Sequence, residues 1–370
     1  MGFHIVKRDN CPLWQRCCYY VVAVLAALTV GAIVLAAIGV DPFEYYSQMF
    51  TMGTVGNRIA YKTFMNYLKE FVPLVLTAVA LSLAFKMRFW NIGGEGQFIM
   101  GSIAAAFVAF KLGNSLPMAV TLIVMCLAAM LVAGLYGLIA GALKVKFGTN
   151  ETLMTLMLNY VALYILYFIG ETKADWNFFL QADSARPVFE SFAETAQFPA
   201  FSLGGKFELN ITVILTVLIG GLIFFYLKYT KQGYEIGVVG DSASTAKYAG
   251  MKVNKIVLRT VFLSAALIGL AAAFKVGTAS VLSTAITNDV GWTGIIVAWL
   301  AKLSTPMIFV VSALICVLQH GSSVAAVSFS QVDSSFANML QGLILFLVLV
   351  ADFFIRFRIV RVKKGGKDNG

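Results

Sequence analysis

Residues 71–110 read FVPLVLTAVALSLAFKMRFWNIGGEGQFIMGSIAAAFVAF. Two apolar runs, 71–88 and 94–111, flank Lys86-Met-Arg-Phe-Trp-Asn-Ile-Gly-Gly-Glu-Gly-Gln97, which places three glycines within four residues. A helix needs around 20 apolar residues to cross a hydrocarbon core about 30 Å thick, and both runs approach that length. The same reading carried outward predicts further spans at 19–40, 118–143, 151–170, 211–228, 257–280, 289–302, 305–325 and 336–355. The expected fold is therefore an all-α polytopic membrane protein of about ten transmembrane helices. Composition agrees: 12% of the 370 residues are charged and 59% apolar, with a mean hydropathy of +0.83. A soluble domain carries about 25% charge and roughly 45–50% apolar residues. Too little polar surface remains to cover a water-soluble core, which excludes a soluble enzyme, a disordered chain and a fibrous repeat. The run 19–40 exceeds the apolar part of a signal peptide and no small-x-small cleavage site closes it, so it reads as an uncleaved anchor.

The net charge of +10 is informative by position. Basic residues gather in residues 1–18, around 228–259 and from Arg356 onward, beside spans rather than in one patch for a nucleic acid polymer. The connection 171–210 holds six acids and three bases, a net of −3, whereas 228–259 holds six bases and two acids, a net of +4. Lys and Arg resist translocation, so the first connection is expected outside and the second in the cytoplasm. An even number of spans then leaves both termini cytoplasmic. The domain reading is a cytoplasmic N-terminus at 1–18, a transmembrane domain at 19–355 and a basic cytoplasmic tail at 356–370. Cys126 and Cys316 lie inside apolar runs, Cys11, Cys17 and Cys18 precede the first span, and there are only two His. No Cys/His spacing fits a metal site.

Two segments interrupt the apolar spans. The first is the glycine-rich stretch above; the second is Ser283-Thr-Ala-Ile-Thr-Asn-Asp-Val-Gly-Trp-Thr-Gly294, followed by a span of only about 14 residues. Broken helices of this kind occur at transport sites near the membrane midplane, and breaks of opposite sidedness in the two halves suit inverted repeats. Candidate pathway residues are Asn91, Glu95, Gln97, Asn159, Asn288, Asp289 and Trp292. Glu95 serves equally as a cap in the first turn of a helix, where the dipole favours a carboxylate. Asn159 carries an amide inside a span and calls for a partner on another helix or a ligand. Trp292 can stack on a heterocycle or sit in an interfacial belt. Thr149 or Asn150 is a natural cap for the span that follows. Lys302 and Asp352 read as side chains snorkelling to headgroups, Lys275 as a further charge near a span end, and His320 as a packing residue. No ladder of intramembrane acids or histidines supports a proton pump. No residue set suggests catalysis. A phosphate-binding GxxxxGK[ST] loop is also missing from the sequence. In the basic connection, Ser242 or Ser244 can cap a short helix through Lys247 and Tyr248 that ends at Gly250. Such a helix suits docking into another protein, the alternative being a plain surface loop.

Several of these stretches carry a resemblance. Pro73-Leu-Val-Leu-Thr77, Asn91-Ile-Gly-Gly-Glu-Gly-Gln97, Gly148-Thr-Asn-Glu151 with Leu156-Met-Leu-Asn-Tyr160, Gly240 to Met251, Gly291-Trp-Thr-Gly-Ile-Ile-Val-Ala298 and Leu340-Gln-Gly-Leu-Ile-Leu345 occur in that order. Over residues 45–355 the chain resembles the permease subunits of bacterial nucleoside ABC importers, part of a wider group with simple-sugar and branched-chain amino-acid permeases. It departs from them at Ser242 and Ala243, where the family commonly has Asn-Pro, at Gly237, often Arg, and at Trp292 and Trp299. These departures bear on ATPase docking and on substrate identity.

The resemblance implies a bacterial plasma-membrane importer. An extracytoplasmic binding protein or lipoprotein delivers substrate, two related permeases form the path, and an ATP-binding subunit docks on the coupling segment. The residues implied there are Gly240, Asp241, Ala246, Lys247, Tyr248 and Gly250. ATP and Mg would belong to the partner ATPase, with no cofactor on this chain. A simple-sugar ABC permease is the alternative, and an ATP-independent secondary transporter a more distant one.

Overall fold

The computed structural model describes residues 2–7, 12–55, 60–202, 206–329, 331–333 and 335–362. The chain opens with strand β1 (Gly2–Lys7), followed by helices α1 (Leu13–Ala37), α2 (Pro42–Thr51), α3 (Ala60–Lys86), α4 (Gly94–Leu112), α5 (Met118–Phe147) and α6 (Glu151–Glu171). Short strands β2 (Ala200–Ser202) and β3 (Glu208–Asn210) precede α7 (Ile211–Tyr229), α8 (Lys231–Asp241), α9 (Ala243–Tyr248) and α10 (Val253–Ala279). Helices α11 (Val290–Leu300), α12 (Thr305–Ser328) and α13 (Ser335–Arg356) lead to strand β4 (Phe357–Val362). Among the described residues, nine helices are long and apolar enough to cross a membrane, and α11 is a shorter apolar helix. Each of the ten expected spans thus has its helix.

The chain divides into two compact units, one from Met1–Arg58 with Val317–Gly370 and one from Ile59–Cys316. In the larger unit α10 packs on α3, α4 and α5. Buried residues make up 78% of the most apolar stretch of α3 and 67% of those of α4 and α10, against 22–28% for α5, α6 and α7. The first three are therefore the inner helices, and the others carry the lipid-facing surface. Buried hydroxyls are tied to backbone across this core: Ser264 Oγ donates to the Ala80 carbonyl at 2.7 Å and Tyr136 Oη to that of Leu158 at 2.6 Å. In a bilayer such bonds replace the water that a soluble protein would offer.

In the smaller unit α1 packs on α13, and β1 pairs antiparallel with β4 in the register Gly2 to Val362. The buried Tyr45 hydroxyl meets Ser322 Oγ at 2.6 Å. Tyr20 donates to the Asp352 carboxylate, so Asp352 is partnered within the protein instead of snorkelling. His320 is buried, as a packing residue should be.

Differences from the expected spans have local causes. α3 begins eleven residues before 71, because Lys62, Lys69 and Glu70 are good helix formers that prolong the helix beyond its apolar run. The connection after Thr230 was expected to hold one short helix, but α8 precedes it, with the Thr230 hydroxyl accepting from Gly233 N at 3.1 Å. The tail residues 363–370 and residues 8–11 near the N-terminus, Cys11 included, lie outside the described residues.

Candidate functional site

The first break is built from side chains that close on its own backbone. Asn91 and Gln97 pair their amides reciprocally: Asn91 Nδ2 donates to Gln97 Oε1 at 3.1 Å, and Gln97 Nε2 donates to Asn91 Oδ1 at 3.0 Å. Asn91 Oδ1 also accepts from Gly93 N at 3.1 Å. Helix α6 supplies the remaining partners from Thr155 and Asn159, one turn apart on one face. Thr155 Oγ1 accepts from Ile92 N at 3.1 Å. Asn159 Nδ2 donates to the Ile92 carbonyl at 2.9 Å, while its Oδ1 accepts from Gly96 N at 2.8 Å. A Cβ on Gly96 would lie 3.0 Å from Asn159 Cα, so glycine there is what lets the two backbones approach. Asn91, Gln97 and Asn159 are all buried. Irregular backbone at Ile92, Gly93 and Gly96 is thereby bonded within the protein, as membrane depth requires.

The second break is completed by the first. Asn288 and Asp289 have φ of 44° and 57°, and the Asp289 side chain makes no cap bond to α11. Instead the buried carboxylate of Glu95 accepts from Gly291 N at 2.7 Å and also from the Trp292 N–H and the Thr287 hydroxyl. Sequence reasoning placed Glu95 at the start of its own helix, which is right, but the helix end it caps is that of α11. This satisfies N–H groups in the first turn of α11 and places a carboxyl oxygen at the positive end of its dipole. A Cβ on Gly291 would run into the Glu95 backbone, 2.5 Å from its Cα. Asn288 and Asp289 are exposed, and the Trp292 ring is 38% exposed.

Three participants were not among the expected site residues: Thr155, Thr287 and the backbone of Gly291. Thr155 had a signal, since it precedes Asn159 by four residues in a span. A further contact ties the first break to the C-terminal end of α11: Trp90 and Trp299 stack with ring centroids 5.3 Å apart and planes at 11°, beside Phe85. Asn150, not Thr149, caps α6, accepting from Leu153 N at 3.2 Å, and Lys144 pairs with Glu151 at 2.7 Å.

In the basic connection, Ser242 caps α9 by accepting from Thr245 N at 3.2 Å. Gly250, at φ 75°, ends it with its N–H on the Lys247 carbonyl at 3.0 Å, and Met251 N reaches Ala246 O at 3.0 Å. Ala246 is buried in a cluster with Ala84, Met87, Phe89, Ile236, Val239, Ile256 and Val261. Asp241, Lys247 and Tyr248 are exposed, Tyr248 by 94%. A Cβ on Gly240 would collide with the Lys86 carbonyl, so α8 rests directly on the backbone that leads into the first break. Glu235 bonds Arg259 at 3.0 Å and fixes α8 to α10. Among the described residues no cluster of His, Cys, Asp or Glu could hold a metal.

Comparison with known proteins finds permease relatives along most of the chain. The chain is 29% identical to the glucose ABC transporter permease protein TsgB13 of Haloferax volcanii, over 95% of this chain and 92% of that protein. It is 28% identical to the guanosine ABC transporter permease protein NupP of Bacillus subtilis, over 93% of this chain and 96% of that one. The nucleoside ABC transporter permease protein NupB of Lactococcus lactis is 27% identical over 81% and 82%. No solved structure matches the chain. Residues 63–349 match the family described as branched-chain amino acid transport system / permease component, and the chain belongs to that family.

Proposed function

We propose that this chain is the membrane-spanning subunit of an ABC importer for nucleosides. The observation that carries the reading is the pair of nucleoside and guanosine permease relatives, one of them aligned over nearly the whole chain. The meeting of two helix breaks through Glu95 and Gly291 supports it, because it gives the membrane region the interrupted helices on which alternating access turns. In this reading Asn91, Glu95, Gln97 and Asn159 brace the breaks. The exposed Asn288, Asp289 and Trp292 meet the substrate, an aromatic face and polar groups suiting a base and a ribose.

The exposed face of α9 is the docking surface for an ATP-binding partner, which would bring ATP and Mg. Motion there reaches the first break through Gly240 and Lys86, whose backbones are already in contact. A second permease and an extracytoplasmic binding protein or lipoprotein complete the assembly. The loop charges put residues 171–210 outside and both termini in the cytoplasm, and the pairing of β1 with β4 supports both termini lying on one side.

A simple sugar is the second reading, favoured by the glucose permease relative. Vesicles holding the complex with its ATPase and binding protein distinguish the two. ATP-dependent uptake of labelled guanosine or another nucleoside is expected, and uptake of glucose alone would transfer the assignment to sugars.

A further inference from the structure

Between α8 and the start of α10 lies a 470 Å³ cleft lined by Lys231, Lys252, Lys255 and Arg259, with Tyr234, Glu235 and Gly250 among its walls. The one carboxylate lining it, Glu235, is taken up by Arg259, and the buried Arg259 Nε has no hydrogen-bond partner among the described residues. Helix α10 opens onto this cleft with Lys252 at its N-cap, no side-chain cap and no acid in its first turn. Its positive dipole end is thus crowned by cations where sequence preference places acids.

The depth of the cleft follows from length. The 27 residues of α10 extend about 40 Å at 1.5 Å per residue, against a hydrocarbon core of about 30 Å. Its first turns, carrying Lys255 and Arg259, therefore project into the headgroup layer. Exposed Phe225 and Tyr229 at the end of α7 lie in the same boundary region. Basic pockets between helix ends at this level suit anionic headgroups.

We propose that the cleft binds the phosphate-bearing headgroup of an anionic phospholipid. Lys231, Lys252 and Lys255 surround the phosphate, and the acyl chains run along the exposed apolar face of α7. The site rests on the reading of α7 and α10 as membrane spans, and its test reads lipid binding alone, independently of transport.

The test uses the delipidated full chain in neutral detergent, titrated with fluorescent phosphatidylglycerol or phosphatidylcholine. Phosphatidylglycerol is expected to bind, with affinity about 30-fold lower in Lys252→Ala/Lys255→Ala, at roughly fivefold for each lysine lost near the surface. Lys252→Arg/Lys255→Arg should retain binding and show that the double-alanine protein fails for want of charge. Lys62→Ala, exposed at the far end of α3, should change nothing. Equal binding of phosphatidylcholine, or an unchanged affinity in the double-alanine variant, overturns the proposal. Equal competition by inorganic phosphate would make this a free-anion site and overturn the lipid assignment. If the addition of an ATPase subunit displaced the lipid and occupied the same lysines, the cleft would be a protein contact instead.

Discussion

The two helix breaks solve one problem in different ways. At the first, the backbone between α3 and α4 is held by several independent groups: the Asn91–Gln97 amide pair, Thr155 and Asn159. At the second, the Asp289 side chain leaves α11 uncapped, and the cap comes from one carboxylate that belongs to the first break. Redundant bonding makes the first break a fixed frame. Dependence on a single borrowed group makes the second the movable part, and it is also the one whose polar residues remain exposed. In return the second break offers the first a single side chain, the Thr287 hydroxyl, and that bond goes to the same Glu95 carboxylate.

The largest effect should come from forcing the two breaks apart. Gly291→Val puts side-chain atoms where the Glu95 backbone lies, and backbone cannot give way as a flexible side chain would. A loss of about 3 kcal/mol, at the upper end of the cost of overpacking, is expected, read as a fall in melting temperature of the full chain in detergent. A variant as stable as the parent would mean that the breaks do not press on one another.

Next, Glu95→Ala should cost about 1–3 kcal/mol, the range for leaving a buried donor without its partner. Hydrogen exchange should rise over residues 290–300 while residues 91–97 keep their protection. Glu95→Gln keeps an acceptor for Gly291 N and should lose less. Equal loosening of both segments in Glu95→Ala would abolish the distinction between frame and movable part.

Asn159→Ala strands the Gly96 N–H and the Ile92 carbonyl and should cost about 1–3 kcal/mol. Here exchange should rise at both breaks, because Glu95 precedes the residue released. Confinement of the effect to 91–97 would show that the first frame does not position Glu95.

A smaller, local effect is expected from Ser242→Ala. Loss of an N-cap costs about 1 kcal/mol, confined to α9, and stimulation of the partner ATPase should weaken while the protein's melting is unchanged. Smallest for stability is Trp292→Ala, since its ring is 38% exposed. It should slow uptake in ATP-replete vesicles without lowering the amount of assembled complex, and wild-type uptake would remove Trp292 from the path.

Much of this fold is legible because a bilayer makes apolar length a direct signal of a helix. Both breaks show as glycine and polar clusters inside such lengths, and the cap Ser242 and terminator Gly250 follow from local hydrogen-bonding preference. What stays hidden is whatever depends on which helices touch. Glu95 carries a first-turn signal in its own sequence, but that it caps a helix 196 positions away depends on packing. The exposed-versus-buried split between Asn288 and Asn91 is hidden for the same reason. Strand β1 had no signal because its partner lies at the other end of the chain.

That last pairing has a consequence for synthesis. α1 and β1 are synthesised well before their partners α13 and β4. A loop of more than 300 residues closes before either contact forms, and that long-range closure is slow. The unit built from both ends is therefore the final one to assemble. A chain cut short before α13 would insert with α1 lacking that partner, offering quality-control proteases a signal that translation had not finished.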